Sequence, residues 1–201
     1  MFELTGYSEL EELHYGTKSI VYRARSAAEN GPVIVKIPTA EYPSPAELAG
    51  LRHEYQLLTR HTVAESVRAL RLEEWGGSLA LIREDSGGQA LNELLRSGPL
   101  SPADTIRVGL CMSRSLASMF QARLIHKDIK PANIIWNAAG ETARITDFSI
   151  SSELSREQSY LSSPEKLEGT LGYIRPEQSG RMNRNVDYST DYYSLGATLY
   201  E

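Results

Sequence analysis

Asp128, Lys130 and Asn133 stand within the stretch Leu124-Ile125-His126-Lys127-Asp128-Ile129-Lys130-Pro131-Ala132-Asn133-Ile134-Ile135. A carboxylate, an amine and a carboxamide are thereby held between apolar pairs. The trailing Ile134 and Ile135 predict a loop that feeds a short buried strand. Further on, Ile145-Thr146-Asp147-Phe148-Ser149 predicts a second apolar strand ending in an acid. Two acids and an amide arriving from adjacent loops can hold a divalent cation on phosphate oxygens. A third group is then left to handle a nucleophile.

The elements upstream supply a buried amine. Residues 10–15, 20–25 and 33–37 read as three strands, with Glu29-Asn30-Gly31 as a tight hairpin turn. Lys36 falls inside the apolar run Val33-Ile34-Val35-Lys36-Ile37. Burying it is costly unless it is paired or reaches a ligand; otherwise it snorkels outward from an edge. Ser44-Pro45-Ala46-Glu47 is a capping box with proline at the first helical position. The helix it starts is expected to reach about residue 60, with Leu51, Glu54 and Leu58 on one face. Glu54 then lies on the apolar side, where a lone carboxylate is expensive, and Lys36 is its natural partner.

Residues 67–75 and 78–85 read as two more strands joined by Gly76-Gly77. From Gln89 the pattern turns helical. Residues 90–96 form a short helix, stopped by Ser97-Gly98-Pro99. A longer helix begins at the Ser101-Pro102 cap and ends near residue 122. Its stripe Val108, Met112, Leu116 and Met119 is core packing.

Composition sets the outer bounds. Hydrophobic and charged contents of 41% and 23% suit a globular protein, and 201 residues can bury a full core. A net charge of −5 argues against a general binder of nucleic acid or anionic membrane. Cys111 is the single cysteine, so no internal disulfide can form and a reducing, cytoplasmic setting is expected. Its neighbours Leu110 and Met112 mark it as a small buried apolar side chain. Met1-Phe2-Glu3-Leu4 lacks the basic and apolar regions of a signal peptide, and no stretch is long enough to span a bilayer.

The spacing H-x-D-x-x-x-x-N followed by D-F resembles the catalytic and metal loops of protein kinases. The chain resembles a eukaryotic-type serine/threonine protein kinase domain of bacterial kind. That resemblance implies an α+β, two-lobe fold. Residues 1–85 would form an amino-terminal lobe, a five-stranded antiparallel sheet with one helix. Residues 86–201 would form a mainly helical and incomplete carboxy-terminal lobe. It implies ATP and Mg²⁺ as cofactors and a protein substrate offering a serine or threonine hydroxyl. Asp128 matches the catalytic acid, Lys130 the lysine that neutralises the transferring phosphoryl group, and Thr170 the threonine that bonds both. Asn133 and Asp147 match the Mg²⁺ ligands. Lys36 and Glu54 match the pair that holds the α- and β-phosphates. Gly16, Val21, Ile135 and the hinge Glu84, Asp85 and Ser86 complete the nucleotide site. His126 and Phe148 match spine residues that stack with Leu58. Asp191 matches the helix aspartate holding the catalytic-loop backbone.

Several positions depart from the family pattern. His14 and Ser19 replace the outer glycines of the phosphate loop, leaving Gly16. Arg83 takes the gatekeeper position, and Ile34 stands where alanine is usual. Ser149 replaces the glycine after Asp147-Phe148, so the turn is expected to lose backbone freedom. Lys127 replaces the arginine that grips an activation-segment phosphate; lysine is only a point charge.

The polar stretch 151–168 reads as an activation segment, with Ser155, Ser159, Ser162 and Ser163 as phosphosite candidates. Gly169-Thr170-Leu171-Gly172-Tyr173-Ile174-Arg175-Pro176-Glu177 resembles its end, and this favours a protein substrate over a small molecule. Residues 178–196 resemble the kinase domain that heads large bacterial signalling proteins, cyanobacterial ones especially. There an ATPase-like module, a GAF domain and a histidine kinase follow. The chain therefore reads as a piece of a longer protein. Glu177 is expected to lack its arginine partner, and Leu195 and Leu199 their cover. A catalytically weak pseudokinase, acting as a regulatory or interaction module, is the alternative that the altered glycine loop and Ser149 support.

Overall fold

A computed structural model describes residues 6–29, 31–154, 169–170, 172–173 and 187–201. The serines at 155, 159, 162 and 163, the Arg175-Pro176-Glu177 triplet and residues 178–186 lie outside the described residues, as does Asn30 of the hairpin turn. Two compact units divide the chain. The first is Met1–Arg60 with Val67–Asp85, and the second is His61–Ser66 with Ser86–Glu201.

The first unit is built on β1 (Tyr7–Tyr15), β2 (Ser19–Ser26), β3 (Pro32–Pro38), β4 (Ala69–Trp75) and β5 (Ser78–Glu84). They form one antiparallel sheet in the order β1-β2-β3-β5-β4. Period-two alternation sorts the side chains. Val33, Val35 and Ile37 pack with Ile20, Ala24, Ala80 and Ile82 as one buried cluster. Leu79 and Leu81 pack with Leu51 of helix α1 (Pro45–Arg60) as another. The capping box forms as expected: Glu47 N–H donates to Ser44 Oγ at 3.3 Å, and Ser44 N–H to Glu47 Oε2 at 2.8 Å. Leu51 and Glu54 are buried on α1, but the third buried residue is Leu57, with Leu58 only half-buried. The stripe follows i, i+3, i+6 rather than i+7, because the ridge that meets the sheet winds around the helix.

The two edge strands are drawn together by polar contacts. Tyr7 of β1 donates its hydroxyl to Glu73 of β4 at 2.9 Å. Arg71 of β4 reaches Tyr7 Oη at 3.0 Å and Ser26 Oγ at 3.1 Å, and also binds Glu73 and Glu29. The sheet is therefore strongly curled, as right-handed twist dictates.

In the second unit, residues 89–90 form strand β6 (Gln89–Ala90), and helix α2 is only Leu91–Leu95. The expected helix over 90–96 loses its first residue because Ala90 pairs with Ile135. Helix α3 (Pro102–Gln121) starts where Asp104 N–H donates to Ser101 Oγ, 3.1 Å. Val108, Cys111, Met112, Leu116 and Met119 are buried on it. The remaining strands are β7 (Leu124–Ile125), β8 (Ile134–Asn137), β9 (Thr142–Ile145) and β10 (Ser152–Glu153). β6, β8 and β9 form one small sheet, β7 and β10 another. Ser152 and Glu153, near the start of the polar 151–168 stretch, are thus strand, paired to Ile125 and Leu124 just ahead of the 126–133 loop.

Helix α4 (Ser189–Tyr200) corrects one expectation. Leu195 is buried, and Leu199 lies against Gly109 of α3. Both leucines find cover within this chain, and Leu199 does so because α4 packs on α3. Tyr192, Tyr193 and Tyr200 are exposed instead. Among the described residues, no helix is long and apolar enough to cross a membrane.

Gly88 shows how tightly the second unit is built. Its φ is +82°, and an added Cβ would lie 2.2 Å from the Trp136 carbonyl oxygen. Gly88→Ala is expected to lower stability by more than ~2 kcal/mol, since backbone must move as well as strain. Gly76→Ala, with positive φ but open space, is expected to cost about 1 kcal/mol. Urea melts of the two variants would check the difference.

Candidate active site

In the first unit, strand β3 delivers Lys36 to the face that α1 covers. Lys36 Nζ donates to Glu54 Oε2 at 2.7 Å. Both side chains are nearly inaccessible, at 6% and 0% exposure, so this is a buried pair and not an edge lysine. Arg83 of β5 also turns to Glu54, with Nη1 3.4 Å from Oε1. The Arg83 cation is therefore neutralised within its own unit. Val21 pairs with Lys36, and Arg23 with Ile34, across β2 and β3. Arg23 Nε reaches Asp85 Oδ2 at 2.6 Å, and Asp85 is almost fully buried. Sequence reading did not single out Arg23. The available signal was its position two residues after Val21, on the same face of β2. Glu84 is held by Arg68: its N–H donates to the Arg68 carbonyl at 3.0 Å. Gly16 lies in the β1–β2 turn, where its N–H donates to the Ser19 carbonyl at 3.0 Å.

In the second unit, the β8–β9 hairpin sets the remaining groups. Ile134 pairs with Ile145, and Thr146 N–H donates to the Asn133 carbonyl at 3.0 Å. Asn133 and Asp147 therefore flank the same end of one hairpin. Asn133 Nδ2 donates to the Asp128 carbonyl at 2.8 Å and to its Oδ2 at 3.0 Å. That fixes the amide and directs its oxygen elsewhere. One amide oxygen and one carboxylate suit a hard, oxygen-seeking cation such as Mg²⁺.

Asp128 is the centre of a dense set of contacts. Its Oδ1 accepts from the Thr170 hydroxyl at 2.8 Å, and its Oδ2 lies 2.7 Å from Lys130 Nζ. Lys130 Nζ also donates to Thr170 Oγ1 at 2.8 Å. Asp128, Lys130, Asn133 and Thr170 thus form one network. Ser86 and Ile135 lie in the same unit; the Ser86 carbonyl accepts from Asn137 Nδ2 at 3.0 Å.

Behind the loop sits Asp191 of α4, fully buried. It accepts the N–H of His126 at 2.7 Å and that of Lys127 at 2.8 Å, one on each oxygen. Burial pushes its pKa up, and the two backbone donors with the nearby Lys127 oppose that rise. Lys127 has φ +71°, a region non-glycine residues avoid, and the bond to Asp191 holds it there. His126 Nε2 lies 3.1 Å from the Thr146 carbonyl, and the Asp128 N–H points to Nδ1 at 3.3 Å. A carbonyl only accepts and an amide N–H only donates, so the contacts suit donation from Nε2 and acceptance at Nδ1. Its ring stacks edge-on against Phe148, with centroids 4.8 Å apart. The left-handed residue of the next turn is Asp147, φ +67°, and not Ser149. The serine therefore meets no demand that only glycine could satisfy.

The protein kinase domain family model matches residues 7–201. This chain belongs to the protein kinase domain family. Its relatives include a probable serine/threonine-protein kinase of Clostridium perfringens, 28% identical over 97% of this chain and 28% of the relative. Serine/threonine-protein kinase PknB of Mycobacterium tuberculosis is 29% identical over 95% of this chain and 31% of the relative. Serine/threonine-protein kinase pkn2 of Myxococcus xanthus is 28% identical over 95% and 23%. The chain thus spans less than a third of the length of these relatives. Its curled five-stranded sheet with one helix, and its partly helical second unit, are the two parts expected of a kinase fold.

Asp191→Ala removes the acceptor of two buried amides. It is expected to cost about 2–4 kcal/mol, in line with two stranded donors. Asp191→Asn relieves the buried charge but keeps only one acceptor oxygen, so it should recover less than half of that loss. Thermal melts of the full-length protein carrying each variant would measure both.

Proposed function

We propose that this chain is the catalytic domain of an ATP-dependent protein serine/threonine kinase. Residues 1–85 would be its amino-terminal lobe and residues 86–201 would belong to its carboxy-terminal lobe. The observation that carries the reading is the network of Asp128, Lys130 and Thr170. A carboxylate held at both oxygens by a lysine, an amide and a threonine hydroxyl is oriented but still partly accessible, with 13% of its side chain exposed.

In this reading, the substrate hydroxyl oxygen attacks the γ-phosphorus of ATP. The bond to the bridging β-phosphate oxygen breaks, ADP leaves, and the hydroxyl proton passes to Asp128. Lys130 sits beside Asp128 to offset charge on the transferring group. Asn133 Oδ1 and the Asp147 carboxylate would hold Mg²⁺, which when bound neutralises the phosphate oxygens. Lys36, kept extended by Glu54, would meet the α- and β-phosphates. Gly16, Val21 and Ile135 would line the nucleotide site, with Glu84, Asp85 and Ser86 along the adenine edge. Charge-neutral pairing of Arg23 with Asp85 stiffens that edge. The substrate is a protein of the cytoplasm, and the chain is part of a longer polypeptide with further signalling domains.

Full-length protein incubated with γ-labelled Mg·ATP is expected to phosphorylate itself or a generic protein substrate. Asp128→Asn and Asp147→Asn should each lower kcat by about 10²-fold or more. Thr170→Val should fall well below Thr170→Ser, because only the serine keeps the shared hydroxyl. A full-length protein that moves no phosphate, or an Asp128→Asn variant as active as the parent, would refute the reading.

Lys127 occupies the place where the family carries a phosphate-gripping arginine, and its backbone is committed to Asp191. Phosphatase treatment of an active preparation is therefore expected to leave most of the activity. Near-complete loss of activity would count against this.

A further inference from the structure

Glu54 has two cations, one on each oxygen. Lys36 Nζ is 2.7 Å from Oε2, and Arg83 Nη1 is 3.4 Å from Oε1. The three side chains are 0%, 6% and 7% exposed, in the order Glu54, Lys36, Arg83. The register makes this possible. β3 and β5 pair Ile34 with Arg83 and Lys36 with Leu81, so the two cations come from adjacent strands, offset by two residues along them. Alternation puts both on the face that α1 covers. Glu54 sits on the buried stripe of α1 between Leu51 and Leu57.

The two cations differ in kind. Lysine is a point charge on a flexible stem that can be re-aimed, whereas arginine is a planar fork with several donors. A buried carboxylate with one partner cannot release it without being left bare, and that is strongly destabilising. A carboxylate with two partners can.

We propose that Arg83 is a positioning residue for nucleotide binding. It keeps Glu54 charge-balanced and in place while Lys36 shifts toward phosphate oxygens. This rests on the reading of Lys36 as a phosphate ligand given above. It accounts for a charge at a position where the resemblance leads one to expect an uncharged side chain. It also ties α1 to two strands rather than one, so that Glu54 stays seated whether or not nucleotide is present.

Two measurements on the full-length protein test it. The first is a double-mutant cycle on melting temperature without nucleotide, using Lys36→Met and Arg83→Met. Each single variant leaves Glu54 one cation, so each should melt only slightly lower. The double variant should lose far more than the sum of the two, and in a Glu54→Gln background that excess should vanish. Additive shifts would overturn the shared-carboxylate arrangement. The second is the affinity for Mg·ATP. Arg83→Met should weaken it about tenfold, and Arg83→Lys should recover most of the loss. Weakening with no recovery by lysine, or unchanged affinity in Arg83→Met, would overturn the positioning role while leaving the kinase reading intact. A parent protein that binds no Mg·ATP would instead sink the kinase reading, and this role with it.

Discussion

The carboxylate of Asp191 is the constraint on which the second unit depends. It is buried completely, and its two oxygens accept the backbone N–H groups of His126 and Lys127. An ionised carboxylate in that position is tolerable only because both amides, aimed at it, replace water. The bonds hold Lys127 at a left-handed φ, and the chain must reverse there before Asp128. Asp128 then arrives where Lys130, Asn133 and Thr170 can reach it. Removing one acceptor 65 residues further along the sequence would therefore loosen a loop that contains none of α4.

A second device, the β8–β9 hairpin, works by register alone. Pairing Ile134 with Ile145 sets Asn133 and Thr146 opposite each other, and Asp147 follows. The apolar residues that make the strand also fix where the polar ones emerge. A slip of one residue would turn both ligand candidates to the wrong face. Gly87 and Gly88, both at positive φ, let the β5–β6 connection press onto Trp136, which protects that register. The site's polar groups are thus positioned by apolar pairing and by glycine, neither of which touches a substrate.

The first unit uses its charges differently. Lys36, Arg83 and Glu54 are buried together, as are Arg23 and Asp85 in part. Buried ion pairs add little net stability over well-packed apolar residues. Their value is in specifying position: each fixes a side chain that could otherwise take many rotamers. The apolar clusters on the two sides of the sheet supply the favourable burial, and the ion pairs decide what points where.

Much was legible in the chain itself. Strong β patterning, one capping box, the Ser101-Pro102 cap and the His126–Asn133 spacing placed the five strands of the large sheet, α1, α3 and the loop, because local propensity and tertiary packing agree there. The partnership of Lys36 with Glu54 also followed, since two charges on apolar faces must find each other. What local pattern could not settle was which of two adjacent leucines on α1 meets the sheet, that Ala90 joins a strand, or that Leu199 meets α3. Those depend on the surface a distant segment presents. The partners of Arg83 and Arg23 belong to the same kind: a sequence shows that a buried cation needs a carboxylate, but only the register of β2, β3 and β5 and the seating of α1 decide which carboxylate is near enough to bind it.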